Sequence, residues 1–462
     1  MDARPLKFVA DACAAVISSG PLETQVKRVC TDSRQVQPGD LFIALVGEKF
    51  DAHNFLPQVA EKGATAVVVE RAKVGQATRL PPAVGVIAVD NTRAALGKLG
   101  ARYRADFDLP VIAVAGSNGK TTTKELIASV LRQKFNALSS EASFNNDVGV
   151  PLTLLKLERA HGAAVLEVGT NHPGELAPLV RMIQPRFGVI TSIGREHLEF
   201  FKDLNGVAEE EGWLAEPLPA DGALFINGDS EWTAAIARRT RARVVRVGFR
   251  QDNDWRAENV RGDETGVTFR VVAPGAGASG EYRVNLLGRH QVLNALLALA
   301  VGTELGVSLD DARRGLAACA SPKMRLQVWE ARGVRVLDDS YNANADSMLA
   351  ALETLRDFPC TGRRVAVLGD MAELGEHTSA AHAEIGRRAV ELGVTRLIAV
   401  GKWAHTTIEA ARAAGLHDVR EFADVPSVAV EVKNVLQPGD VVLLKASRAS
   451  GLERIGEALR SG

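Results

Sequence analysis

Cysteine and long apolar runs are scarce in this chain, and each scarcity removes a class of protein. Only four cysteines occur in 462 residues, Cys13, Cys30, Cys319 and Cys360, far apart and without a CxxC pair. That argues against a zinc site of cysteines and against a disulfide framework, and predicts four reduced core residues. No run approaches the roughly 20 apolar residues that span a bilayer, since even the Ala/Leu-rich stretch 292–301 is short. The N-terminal MDARPLKFVADACAAV has Asp11 inside its one apolar stretch and no small-residue cleavage site after it, so it does not read as a signal peptide. No membrane insertion and a cytoplasmic address are expected. Neither sign of charge dominates, with 55 Lys and Arg against 56 Asp and Glu. No overall field therefore favours nucleic acid or an anionic membrane, and the expected partners are small molecules.

What is present is alternation. Apolar runs at Thr65–Val69, Val111–Ala115, Ala163–Val168, Gly188–Ile193, Arg364–Leu368, Arg396–Val400 and Val441–Lys445 are interleaved with helical periodicity at Thr122–Arg132, Val292–Leu305 and Ser347–Arg356. Strands alternating with helices imply parallel sheets covered by helices, an α/β class. The length calls for two to four domains. The polar stretch Tyr103–Pro110 and the segment Ala317–Lys323 suggest breaks, giving three domains over 1–107, 108–317 and 318–462. The small-residue patch 273–280 reads as a surface loop between strands.

The strongest chemical signal is VIAVAGSNGKTTTK, 111–124, a strand running into a glycine-containing turn and then a helix. Backbone amides, the positive helix N-terminus and the Lys120 ammonium would converge on a polyphosphate, with the Thr121 hydroxyl on Mg2+. The full G-x4-G-K-[ST] pattern is not met, because Val114 stands at its first glycine. The plainer alternative is an ordinary turn with a solvated lysine.

Polar residues at strand ends are the next candidates, because ligands of open α/β sheets gather there. Glu167 ends the apolar run AAVLE, where an unpaired charge is costly and either a metal or a basic partner must compensate it. His197 lies in the turn after ITSIG, where a histidine is either a ligand or an ordinary surface residue.

Taken together, GSNGKTTTK, SFNNDVGVPLTLL (143–155), LEVGTNHPGEL (166–176), ITSIGREHLEFF (190–201), GRHQVLNALLA (288–298), DDSYNANADSMLAAL (338–352), LGDMAELGEHT (368–378) and LLKASR (443–448) resemble, in order, the blocks of the Mur ligases. CTDSRQVQPGDLFIALVGEKFDAHNF (30–55) resembles the UDP-sugar-binding domain of the last two Mur ligases, and DDSYNAN and LGDMAELG resemble the D-alanyl-D-alanine-adding branch. The resemblance implies three domains: an N-terminal one for the UDP end, a central P-loop-type ATPase with a parallel sheet, and a C-terminal Rossmann-like α/β domain. It implies ATP and Mg2+ as cofactors, UDP-MurNAc-tripeptide and D-Ala-D-Ala as partners, an acyl-phosphate intermediate and a monomer.

Residue by residue, the resemblance places Gly116, Ser117, Asn118, Gly119, Lys120, Thr121 and Thr122 on the triphosphate. It places Thr121 and Glu167 on a first Mg2+ and His197 beside a second. Gln291 and Asn294 fall where the family contacts adenine, although the first is usually Asn. Arg325, Asp339 and Asn342 would approach the nucleotide from the C-terminal domain. Asn145 and Asn146 would face substrate, and Ser33, Arg34, Asp51 and His53 the UDP end. Lys445, Ser447 and Arg448 would lie near the dipeptide, with Ala446 in place of the usual glycine.

One departure stands out. Mur ligases commonly carry a carbamylated lysine at a position that falls here in VAEEEGW, 207–213, which has no lysine. Glu211, or a neighbour one or two residues away, is read as an encoded carboxylate in its place, against the alternative of a solvated acidic helix face. Other readings stay open: a diaminopimelate- or lysine-adding Mur ligase, and a non-catalytic nucleotide-binding module. A P-loop kinase or GTPase lacks support, since no NKxD motif occurs.

Overall fold

The computed structural model describes residues 1–274 and 278–460. All seven apolar runs form strands, three of them (Val111–Ala115, Arg396–Val400 and Val441–Lys445) at the expected residues. The helical periods form helices Lys120–Leu131, Gln291–Glu304 and Ala345–Asp357. The last begins at a reciprocal cap, in which the Asn344 side chain accepts from the Ser347 N–H and the Ser347 hydroxyl accepts from the Asn344 N–H. The loop expected at 273–280 falls partly outside the described residues.

The chain packs as two compact units. One comprises 1–113, 135–169 and 177–186, and the other 114–134, 170–176 and Phe187 onward. In the first, strands Arg28–Cys30, Asp40–Ile43, Ala66–Glu70 and Gly85–Val89 run parallel, and Val16–Ser19 closes one edge antiparallel. Strands Asp40–Ile43 and Gly85–Val89 are buried along their whole length, as continuous apolar runs of a covered sheet should be. Helix Thr92–Arg104 is anchored by Tyr103, fully buried, whose hydroxyl donates to the Leu157 carbonyl and accepts from the Asp2 N–H.

The second unit holds two sheets. In one, Phe187–Ile190, Ala223–Asn227, Arg243–Gly248 and Trp255–Asp263 are parallel in succession, and Gly266–Val272 and Gly280–Val284 then extend the sheet antiparallel. This antiparallel extension was not expected from the sequence. Two residues, Glu264 and Thr265, separate the first pair, and so short a connection permits only a hairpin. The other sheet orders Gln327–Ala331, Val334–Asp338, Val441–Lys445, Arg364–Gly369, Arg396–Val400 and Val419–Phe422, parallel except at its first strand. Its two faces are both apolar: Val336, Val365, Val367, Ile398, Val442 and Leu444 pack on one side, Leu337, Ala366, Leu368, Leu397 and Leu443 on the other.

All four cysteines are free, three buried and Cys360 half-buried. Burial pushes the Cys13 and Cys319 thiols up to about 11 and about 12, so they are inert core groups. Among the described residues no helix is long and apolar enough to cross a membrane.

Candidate active site

The 116–120 turn is shaped by two glycines and strapped to the segment that follows strand Phe187–Ile190. Gly116 has φ +112°, and a Cβ there would lie 2.4 Å from the Thr191 hydroxyl oxygen. Gly119 has φ +84°, and its Cβ would lie 2.6 Å from Asn294 Oδ1. Only glycine fits both the backbone and the space. The Ser117 N–H donates to the Ser192 carbonyl (2.8 Å), the Asn118 N–H to Ser192 Oγ (2.9 Å), and the Gly194 N–H to Ser117 Oγ (2.8 Å). Helix Lys120–Leu131 then starts at Gly119 with no side-chain cap, and a helix N-terminus is where backbone N–H groups and the helix dipole favour an anion.

Lys120 bends back over the turn. Its Nζ donates to the Gly116 carbonyl (2.5 Å) and lies 3.4 Å from Glu196 Oε2. The same Gly116 is held on its other side, where its N–H donates to Glu211 Oε2 at 2.7 Å. Glu211 is 1 % exposed, which excludes the solvated acidic face; of its neighbours, Glu209 alone is exposed. Oε1 of Glu211 and Oε1 of Glu196 are buried and receive no donor. Burial first, and then the Glu196 charge, push the Glu211 carboxyl up to about 8 in spite of the nearby Lys120 ammonium.

His197, at φ +49°, hydrogen-bonds Glu373 through Nδ1, and this contact holds the Glu373 carboxyl below its ordinary value. Its Nε2 faces Glu196 Oε2 at 3.9 Å. A carboxylate on Nδ1 fixes the tautomer that leaves Nε2 as a lone-pair donor. In the first unit, Glu167 is buried, its Oε1 accepts from Asn145 Nδ2 (2.9 Å), and its Oε2 has no donor. Within the second unit, the carboxylate oxygens of Glu196 and Glu211 beside the His197 imidazole are oxygen and nitrogen groups of the kind that suit a hard divalent cation. Among the described residues no three acidic, histidine or cysteine side chains already form a metal shell, so water and phosphate oxygens would have to complete one.

The structure gathers the residues expected from the C-terminal segment. Arg325 donates to Thr121 Oγ1 (3.0 Å) and lies over the Tyr341 ring at 4.3 Å. Asp339 accepts from the Leu326 N–H and pairs with Lys445 at 2.5 Å, Lys445 also donates to the Asn342 carbonyl, and Asn342 Oδ1 accepts from the Arg448 N–H. Ser447 Oγ accepts from the Ala372 N–H. Close by is a cavity of about 590 Å³ lined by Asp370, Glu373, Lys402, Trp403, Asp424 and Ser447 at the carboxyl ends of the parallel strands.

Other expected residues are already engaged. Asn294 Nδ2 donates to Gln291 Oε1 (2.8 Å) and Asn294 Oδ1 accepts from Thr123 Oγ1. Asn146 Oδ1 accepts from the Val148 and Gly149 N–H groups at the start of helix Gly149–Leu154. Arg34 pairs with Asp32 at 2.8 Å, and the Ser33 carbonyl accepts from Lys62. His53 is buried with Nδ1 on Asp51 (2.6 Å) and Nε2 accepting from the Glu70 N–H, while Lys73 holds the other Asp51 oxygen. Sequence reasoning missed Glu196 and Glu373. An acid beside a loop histidine reads as surface, and nothing in the chain marks a partner 176 positions away.

Three family models match successive segments: the Mur ligase family, catalytic domain, over 25–104; the Mur ligase middle domain over 114–302; and the Mur ligase, glutamate ligase domain, over 324–448. The chain is 37 % identical over 440 residues to the UDP-N-acetylmuramoyl-tripeptide–D-alanyl-D-alanine ligase of Escherichia coli K12, covering 94 % of this chain and 93 % of that one. It is 32 % identical to the Bacillus subtilis enzyme of the same name, over 98 % and 97 %. Its fold is similar to a crystal structure of MurF from Acinetobacter baumannii (TM-score 0.89, 31 % identity, all of both chains). It is also similar to MurF ligase from Thermotoga maritima in complex with ADP (TM-score 0.81, 27 % identity, 94 % and 97 %). With its phosphate turn, its buried acids and three consecutive domain matches, the chain belongs to the Mur ligase family.

Proposed function

We propose that this chain joins D-alanyl-D-alanine to UDP-N-acetylmuramoyl-tripeptide at the expense of ATP, giving the pentapeptide precursor, ADP and phosphate. The observation that carries the reading is the Gly116–Thr122 turn, wired through Gly116 and Lys120 to two buried carboxylates, in a chain alike over nearly its whole length to ligases of that name.

A carboxylate is a poor acyl donor because its oxygen leaves badly. Transfer of the ATP γ-phosphoryl group to the terminal carboxylate of the tripeptide gives an acyl phosphate and ADP. The dipeptide amine attacks that carbonyl, forms a tetrahedral intermediate, loses a proton and expels phosphate, leaving an amide. The protein's work is positioning and charge neutralisation. Lys120 swings from the Gly116 carbonyl to the β/γ oxygens, and the N–H groups at the start of helix Lys120–Leu131 hold the phosphates. Bound Mg2+ would supply further neutralisation of phosphate charge, with Thr121, Glu167 and His197 as its residues in this reading. Arg325, Asp339 and Asn342 act on the nucleotide, with Gln291 and Asn294 toward adenine. Lys445, Ser447 and Arg448 border the cavity that suits the dipeptide. Asn145 and Asn146 set the substrate side, and Ser33, Arg34, Asp51 and His53 the UDP end, His53 by holding its loop in shape. The functional modules are 1–107, 108–317 and 318–462, working as a monomer in the cytoplasm.

Phosphate release from ATP tests this. Release is expected only with both UDP-MurNAc-tripeptide and D-Ala-D-Ala present, and not with L-Ala-L-Ala or single D-Ala. Release with another amine only would move the chain elsewhere in the family, and none at all would favour a nucleotide-binding module.

A further inference from the structure

The cavity beside Ser447 has an uneven lining of charge. It crosses the carboxyl ends of four successive parallel strands, with Ser447 after Val441–Lys445, Glu373 after Arg364–Gly369, Lys402 after Arg396–Val400 and Asp424 after Val419–Phe422. Four carboxylates line it, those of Glu199, Asp370, Glu373 and Asp424, and among the described residues Lys402 is its one cation. Three of these acids are engaged: Asp370 accepts from the Lys402 and Trp403 N–H groups, Asp424 from the Ser427 N–H and hydroxyl, and Glu373 holds His197. The cations that border the cavity are engaged as well, Lys445 with Asp339 and Arg448 with Glu453. Lys402 is not. Its side chain is exposed, joins no ion pair among the described residues, and carries its ammonium 5.7 Å from the centre of the Trp403 ring, which is itself stacked on buried His382.

We propose that Lys402 is a specificity-determining residue, its ammonium binding the free carboxylate of the incoming dipeptide. The inference rests on the proposed function, since that reaction is what brings a dipeptide to this cavity. Charge and length agree on the direction in which it lies. At neutral pH a dipeptide carries an ammonium at one end and a carboxylate at the other. Glu199 and Glu373 stand on the side of His197, where the amine must arrive to meet an acyl phosphate, and the uncommitted cation stands two strands from Ser447. Two strand spacings are about 10 Å, and an extended dipeptide spans about 7 Å. The carboxylate can therefore rest on Lys402 while the amine points back toward Glu373 and Ser447. A charge-assisted hydrogen bond of this kind is stronger than a neutral one. It makes the cavity select an acceptor by its free C-terminus, and a dipeptide with that terminus capped as an amide becomes a poor substrate.

The test is steady-state phosphate release by the full-length chain, with ATP and UDP-MurNAc-tripeptide saturating and either D-Ala-D-Ala or D-alanyl-D-alaninamide varied. Lys402→Met should raise KM for D-Ala-D-Ala roughly 10-fold, the size of a lost charge-assisted bond, and leave kcat within about twofold. KM for ATP should not move, and Lys402→Arg should recover most of the loss. The parental protein should show a KM for the amide roughly 10-fold above that for the acid. Lys402→Met should leave the amide's KM where it was, because the two changes remove the same contact. An unchanged KM for D-Ala-D-Ala in Lys402→Met, or an equal rise for acid and amide, overturns the inference. Should Lys402→Met fail to fold, the parental protein decides alone, and a KM for the amide no higher than for the acid overturns it. The two readings fail differently: a parental protein inert toward D-Ala-D-Ala sinks the proposed function, whereas normal parental turnover with an indifferent Lys402→Met sinks only the role of Lys402.

Discussion

Two acid clusters built around a lysine and a histidine behave in opposite ways. In the first unit, Asp51 accepts from the His53 N–H, His53 Nδ1 and Lys73, and His53 Nε2 accepts from the Glu70 N–H. Both Asp51 oxygens and both ring nitrogens have partners, so the cluster is a strut for the loop that carries it. In the second unit, the cluster of Lys120, Glu196, His197 and Glu211 leaves two buried carboxylate oxygens, Glu196 Oε1 and Glu211 Oε1, without a hydrogen-bond donor. Native proteins satisfy buried polar atoms almost everywhere, so the unsatisfied cluster is the one built for something that is not protein. Residue types alone do not separate the two; the count of satisfied atoms does.

The comparison breaks first at Lys120. Lys120→Ala should cut turnover by about three orders of magnitude or more while circular dichroism stays parental, since one preorganised charge at a phosphoryl group is commonly worth that much. Near-normal phosphate release would sink the phosphate-loop reading. Lys73→Ala should instead act on stability.

A sharper contrast lies between neighbours on one helix. Glu210 accepts from the Gly174 and Leu176 N–H groups, both at 2.8 Å, and from the Thr170 hydroxyl. Glu210→Ala strands three donors and should cost about 2–4 kcal/mol in urea unfolding. Glu211→Gln keeps an acceptor for the Gly116 N–H and should change stability by less than about 1 kcal/mol while depressing turnover. Equal destabilisation by both would erase the distinction.

The strut should show in acid. Burial acts to raise the Asp51 carboxyl, but Lys73 and His53 outweigh it and bring it from 3.8 to about 2. Its folded value lies below its unfolded one, so its stabilisation is complete above about pH 4 and is lost as pH falls through about 2. Asp51→Asn should lower the melting temperature at pH 7 by an amount worth about 1–2 kcal/mol after allowance for partial exposure, and the gap should close near pH 2. A gap constant with pH would mean packing, not charge. The smallest expected effect is none: stripping and restoring bicarbonate should leave turnover unchanged, because the Glu211 carboxyl group is encoded in the chain and needs no CO2.

Strands buried on both faces and the phosphate turn were legible because their signals are local. Val111–Ala115 and the helix from Lys120 sit in one stretch, and covered strands read as apolar runs. Glu196, Glu373 and the full engagement of His53 were not legible, since each depends on segments that only folding brings together. Glu211 was found from what the stretch lacks, a lysine, and its burial could be known only from the packing of helix Leu204–Glu211.

That helix ends with two consecutive residues serving different clients: Glu210 the 170–176 loop, Glu211 the Gly116 peptide. Successive side chains on a helix point about 100° apart, so adding or deleting one residue before them would swing both off target at once. A change of length within the eight residues from Leu204 to Glu211 therefore costs two contacts at once, where a substitution costs one.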